Sequence, residues 1–126
     1  MKPVVYIESS VISYLTSRPS RDVVIAGRQA ITYGWWENHR SRFELRISIL
    51  VEEEISRDDS SAAKLRVERV SNIPSLAISD EATKIAELLL SEGVILEGSE
   101  EDALHIGIAA VQSVNYLLTW NFRQYQ

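Results

Sequence analysis

Polar residues stand where apolar runs end, and four such places are within reach of one chemistry. "VVYI", residues 4–7, stops at Glu8, and Ser9 and Ser10 follow. "LRISIL", residues 45–50, runs into Glu52, Glu53 and Glu54. Asp102 lies near the start of the helical pattern "SEEDALHIGIAAVQS", and "NYLLTW" ends at Thr119, Trp120 and Asn121. Oxygen ligands of this kind suit Mg²⁺ or Mn²⁺. Zinc prefers His or Cys, and the chain has no cysteine and only His39 and His105. Carboxylates crowded together repel, and a shared divalent cation is the usual reason to keep them there.

Each residue also has a plainer reading. Glu8 alone is an N-cap or first-turn acid, the three glutamates a solvated helix face, Asp102 a capping acid and Asn121 a turn residue. His105 follows Asp102 by three positions on one helix face and could be a ligand, a base or a core histidine with a backbone partner, the last being the preferred reading. Trp35, Trp36 and Trp120 could stack on bases, but core or dimer-interface packing is the preferred reading. The chemical case rests on the joint arrangement.

The elements that must bring these groups together alternate. "VVYI" reads as a strand and "SSVISYLTS" as a short helix broken by "RPSRD". "VVIAGRQAITYGWWENHR" reads as a second helix, with Val24, Arg28, Ile31 and Trp35 on one face beside Ala30, Tyr33 and Gly34. "LRISIL" is a strand, "VEEEISR" a helix start and "SSAAKLRVERVSN" a helix opened by capping serines. "SLAIS" is a third strand. "DEATKIAELLLSEG" is a helix with an acidic first turn and a glycine stop. In "SEEDALHIGIAAVQS", Ser99 and Asp102 resemble a capping box, and "NYLLTW" is the fourth strand. Alternating strands and helices imply an α/β fold, three layers deep, with a short parallel sheet covered on both faces. Ligands in such folds bind beyond the carboxyl ends of the strands, where Glu8 falls.

The 126 residues suit one domain. A composition 45% hydrophobic and 25% charged is that of a globular protein and excludes a disordered chain. Without cysteine, disulfides and thiolate metal sites are excluded. "MKPVVYIES" is neither a signal peptide nor a membrane span, so the expected location is the cytoplasm. The net charge of −5 argues against a surface that attracts nucleic acid everywhere, but not against a local site. Arginines outnumber lysines ten to three, and Arg18, Arg21, Arg28, Arg40 and Arg42 cluster in one third of the chain. Arginine binds phosphate bidentately where lysine does not; a solvated basic face is the plainer reading.

Taken together, these motifs resemble the PIN domain family, small α/β nucleases that include many VapC-type toxins of toxin–antitoxin pairs. The family's apolar strand, acid and Ser/Thr match "VYIESS"; its Ser, apolar residues and Glu match "ISILVEEEIS"; its Asp-Ala on an Ala-rich helix matches "EEDALHIGIAAV"; its strand ending in Thr-x-Asp matches "YLLTWNFR". The resemblance covers nearly the whole chain, with all four motifs in order. It puts Glu8, Glu54, Asp102 and Asn121 at the four acidic positions, Glu53 competing with Glu54, and Ser9 or Ser10 at the hydroxyl position. Two departures stand out: Glu8 replaces the usual Asp and is one methylene longer, and Asn121 replaces an Asp and removes one negative charge. Residues 1–126 are expected to form one PIN-like domain. Family members commonly continue further past the fourth motif, so a C-terminal strand or helix is expected to be missing.

The resemblance implies a Mg²⁺- or Mn²⁺-dependent ribonuclease, with the ion held by Glu8, Glu54 and Asp102 and RNA phosphates met by Ser9, Ser10, Arg18 and Arg21. It also implies an antitoxin partner and a homodimer. The rival is a PIN-like scaffold that binds RNA or protein without cleavage, suggested by Glu8 and Asn121. A phosphate-accepting receiver domain shares the α/β order but needs paired acids after the first strand and a late lysine, and neither is present.

Overall fold

The computed structural model describes residues 1–58, 60–95 and 99–121. The elements in chain order are β1 (Val4–Ile7), α1 (Ser9–Thr16), α2 (Val23–Asn38), a 3₁₀ turn (Arg40–Arg42), β2 (Glu44–Ser48), α3 (Ile49–Ile55), α4 (Ser60–Arg69), β3 (Ser75–Leu76), α5 (Asp80–Ser91), α6 (Glu100–Val111) and β4 (Tyr116–Leu118). The four strands form one parallel sheet in the order β3-β2-β1-β4, and helices cover it in a three-layer α/β/α arrangement. Among the described residues no helix is long and apolar enough to cross a membrane.

β1 lies inside the sheet because it is apolar on both faces: Val5, Tyr6 and Ile7 are all buried. The chain leaves β1 for β2 on one side and returns to β4 on the other. The strand order therefore reverses between β1 and β4, the place where open α/β sheets leave a crevice beyond the strand ends. Register is fixed there by Val5 opposite Tyr116 and Ile7 opposite Leu118, and the Glu8 amide donates to Leu118 O at 3.0 Å.

Helix starts are set by short polar side chains. Ser48 ends β2 and accepts the Val51 amide, so α3 begins at Ile49 and the apolar Ile49-Leu50 pair belongs to the helix, not to the expected strand. Ser79 caps α5 in the same way, which shortens the expected "SLAIS" strand to Ser75–Leu76. Ser99 makes no side-chain cap bond, so the expected capping box with Asp102 does not form. On α2 the buried residues are Thr32 and Trp36, whereas Val24, Ile31 and Tyr33 of the expected inner face are exposed.

α6 packs on α5 with almost no space between backbones. A Cβ placed on Gly107 would lie 2.2 Å from the Ala82 carbonyl oxygen. Only glycine permits that approach, and it fixes the depth of the helix that carries Asp102 and His105.

Candidate active site

Glu8 is the centre of the site. Its backbone ends β1, and its carboxylate caps α1 by accepting the Ser10 amide at 3.1 Å. It is both the plain N-cap and the buried acid at a strand end, only 3% exposed. Burial of a carboxylate requires donors, and they come from two strands' ends. Oε1 also accepts from the Ser10 hydroxyl and from Thr119 Oγ1 at 2.8 Å. Oε2 lies 3.0 Å from Ser9 Oγ and accepts a long bond, 3.3 Å, from Asn121 Nδ2. The Trp120 amide donates to Ser10 Oγ, and the Asn121 amide to Thr119 Oγ1, so the loop after β4 is tied down against the start of α1.

Glu54, in the last turn of α3, reaches the same centre. Its Oε1 accepts from Ser9 Oγ and from His105 Nε2 at 2.8 Å. Ser9 therefore stands between two carboxylates with one hydroxyl proton, and that proton serves one of them at a time. Asp102, at the head of α6, faces Asn121 Nδ2 at 3.5 Å, so one amide group spans Asp102 and Glu8.

The two outer acids are tuned in opposite directions. Burial pushes Glu54 up, but the hydrogen bonds from His105 and the Ser9 hydroxyl, with the Arg57 charge, outweigh it and hold the carboxyl below its ordinary 4.5. Burial raises Asp102 above its ordinary 3.8, the Glu8 charge adds to that, and the Asn121 amide only partly offsets it. Burial drives the Tyr6 hydroxyl far above its usual range, so it is a neutral donor and acceptor.

Ligand atoms of Glu8, Glu54 and His105 lie within 4.8 Å of one another. Two carboxylates with a single hydroxyl proton between them, and a third acid across a neutral amide, make a donor set that fits a hard divalent cation.

A comparison with protein-family models gives no match, and a search of curated proteins gives none either. Solved structures do match. VapC20 of Mycobacterium tuberculosis, described as a sarcin-ricin loop cleaving toxin, superposes with a TM-score of 0.68 at 15% identity, over 94% of this chain and 92% of that one. VapBC2 from Rickettsia felis, solved bound to a DNA fragment from its promoter, gives 0.65 at 15% identity, over 95% and 89%. The chain has the PIN fold of VapC toxins.

Within this PIN fold, Glu8, Ser9, Ser10, Glu54, Asp102 and Asn121 are brought into one hydrogen-bonded group. Glu53 is exposed on the other side of α3. Arg18 and Arg21 are exposed on the connection from α1 to α2, and among the described residues neither bonds to the acids. His105 has side-chain partners, Tyr6 and Glu54, where a backbone partner was expected. Thr119 was named at the end of the fourth strand but given no place in the site. The signal for both was present: His105 shares a helix face with Asp102, and Thr119 is level with Glu8 once β4 is paired with β1. Of the tryptophans, Trp36 is buried; Trp35 stacks on Phe43 with centroids 5.8 Å apart; Trp120 donates to Thr32 Oγ1 at 2.9 Å and carries Arg28 over its ring at 5.5 Å.

Proposed function

We propose that the protein is a divalent-cation-dependent endoribonuclease, the toxin half of a toxin–antitoxin pair. The observation that carries the reading is the meeting of Glu8, Glu54 and Asp102 at the β1/β4 crevice of a PIN fold. Glu8, Glu54 and Asp102 would hold Mg²⁺ or Mn²⁺. A cation held there would supply a lowered pKa for water and neutralise charge on a phosphodiester.

The chain's own groups divide the remaining work. Thr119, Ser10 and the start of α1 fix Glu8, so its carboxylate needs no reorganisation when a substrate arrives. Asn121 spans Glu8 and Asp102 and reduces their repulsion without adding charge. Arg18 and Arg21, exposed and cationic, supply RNA phosphate contacts as single strands or loops approach. A cavity of about 210 Å³ lined by Val11, Ile31, Trp35, Leu118 and Trp120 opens beside Thr119. Its apolar walls suit the side chains of an antitoxin segment laid over the site. The exposed Val23, Val24 and Tyr33 on α2 suit a second copy.

An RNA-cleavage assay with Mn²⁺ or Mg²⁺, repeated with chelator and with Glu54→Gln, tests the reading. Cleavage that disappears in both controls is expected. One observation favours the non-catalytic scaffold: Glu8 already has its carboxylate served by amide and hydroxyl donors. RNA binding without cleavage, and no Mn²⁺ heat in calorimetry, would select it.

A further inference from the structure

Behind Glu54 runs a buried chain of side chains that the acids themselves do not require. Ser48, Tyr6 and His105 are 0%, 0% and 1% exposed. Ser48 Oγ accepts the Val51 amide and lies 2.7 Å from the Tyr6 hydroxyl. That hydroxyl lies 2.6 Å from His105 Nδ1, and His105 Nε2 lies 2.8 Å from Glu54 Oε1. Among the described residues one assignment of hydrogens satisfies every link. Ser48 Oγ, with the Val51 amide as its donor, gives its own proton to the Tyr6 oxygen. Tyr6 then donates to Nδ1, and the ring carries its hydrogen on Nε2 for Glu54. The opposite direction leaves the Ser48 proton without an acceptor in a buried site, where its desolvation goes uncompensated.

We propose that Ser48, Tyr6 and His105 form a positioning relay: it holds Oε1 of Glu54 and leaves Oε2 for the ligand, so His105 orients an acid and is not itself a ligand. Among the described residues, Oε1 takes both the His105 and Ser9 bonds, and Oε2 takes none. His105 Nε2 comes within 4.8 Å of the acids' ligand atoms, but its hydrogen is committed to Glu54. The relay also closes on itself structurally. Ser48 caps the first turn of α3 and Glu54 sits in its last, so both ends of one helix are fixed to one ring on α6. Outer partners of this kind typically contribute 10–100-fold to metal affinity.

The inference rests on the cation reading above, and the test separates the two. Nitrogen-15 NMR of the imidazole rings, on metal-free protein at pH 8 with His39→Gln for assignment, should show His105 protonated on Nε2 alone. A ring protonated on Nδ1, or on both nitrogens, overturns the relay. Tyr6→Phe keeps the ring and removes the hydroxyl; its Mn²⁺ dissociation constant should rise about tenfold while circular dichroism stays native. Lost stability with unchanged Mn²⁺ affinity would make the chain merely structural and overturn the proposal. If Tyr6→Phe fails to fold, electron spin-echo spectra of Mn²⁺ on the wild type decide. No directly coordinated imidazole nitrogen is expected, and its detection makes His105 a ligand and sinks the idea. A wild type that binds no Mn²⁺ defeats the cation reading instead and leaves the tautomer to decide the relay.

Discussion

The two acids on either side of Glu8 differ in what stands behind them. Glu54 is backed by the buried Tyr6, Ser48 and His105. Asp102 is half-buried and faces a long amide contact shared with Glu8. Both suffer burial, yet one carboxyl is held down and the other pushed up. Desolvation alone does not set the charge of a clustered acid; the donors do. Glu54 has a ring N–H and a hydroxyl, whereas Asp102 has a neutral amide and the repulsion of Glu8. Of these two acids, Asp102 is therefore the one whose charge is more easily lost.

The strongest way to break this comparison is to move the helix that carries both Asp102 and His105. Gly107→Ala forces a methyl into the Ala82 carbonyl and should lower unfolding stability by about 3 kcal/mol or more. A denaturation curve near wild type would mean that α6 shifts freely.

Glu54→Gln should cost about 2 kcal/mol, the scale of hydrogen bonds to a charged group. Asp102→Asn should instead raise metal-free stability by less than about 1 kcal/mol, because a half-exposed repulsion is screened. Chemical denaturation of both variants checks the opposite signs. A loss at Asp102 would make it a structural acid and erase the contrast.

Asn121→Asp sharpens the same comparison from the other side. It replaces the amide between Glu8 and Asp102 with a third charge. Metal-free stability should fall by about 1 kcal/mol, and Mn²⁺ should bind more tightly by calorimetry. Unchanged affinity would remove position 121 from the cation site.

The two acids should also separate in pH. Glu54 is an acid with a lowered folded pKa, so its contribution is full above 4.5 and is lost as the pH falls through the lower folded value. Asp102 has a raised folded pKa, so its stability is full below 3.8 and is lost as the pH rises through the folded value. Between pH 3 and 7, Asp102→Asn should flatten the loss at rising pH, and Glu54→Gln should flatten the loss at falling pH. Identical curves for the two variants would refute the opposed tuning.

The smallest effect is expected farthest from the acids. Arg18→Ala with Arg21→Ala should weaken RNA binding and reduce the salt slope by about one per lost phosphate contact. An unchanged slope assigns both to a solvated loop.

The layer architecture was legible because local rules agree with the tertiary outcome. β1 is apolar on both faces, α5 carries an acidic first turn and a glycine stop at Gly93, and Pro19 interrupts the chain after α1. That Glu8, Asp102 and Asn121 would come together was also legible, since each sits where a strand ends or a helix begins; Glu54 reaches them from the last turn of α3. The buried face of α2 was not. Its apolar residues run nearly all round, and the choice is made by a distant bond, Trp120 Nε1 to Thr32 Oγ1, 88 positions apart. The partners of His105 escaped for the same reason, since they lie 99 and 51 positions away. The boundary between β2 and α3 followed the Ser48 cap and not the apolar run.

The pairing of β1 with β4 has a further consequence for the order of events during synthesis. Glu8 leaves the ribosome early, but its donors Thr119 and Asn121 lie 111 and 113 positions later. Until they emerge, β1 lacks one neighbour in the sheet, and a carboxylate meant to be dry stands in water. Such non-local closure is slow compared with helix formation. The nascent chain therefore carries its acids separately for most of its translation, and the acid cluster comes into being as one late event and not by gradual accumulation.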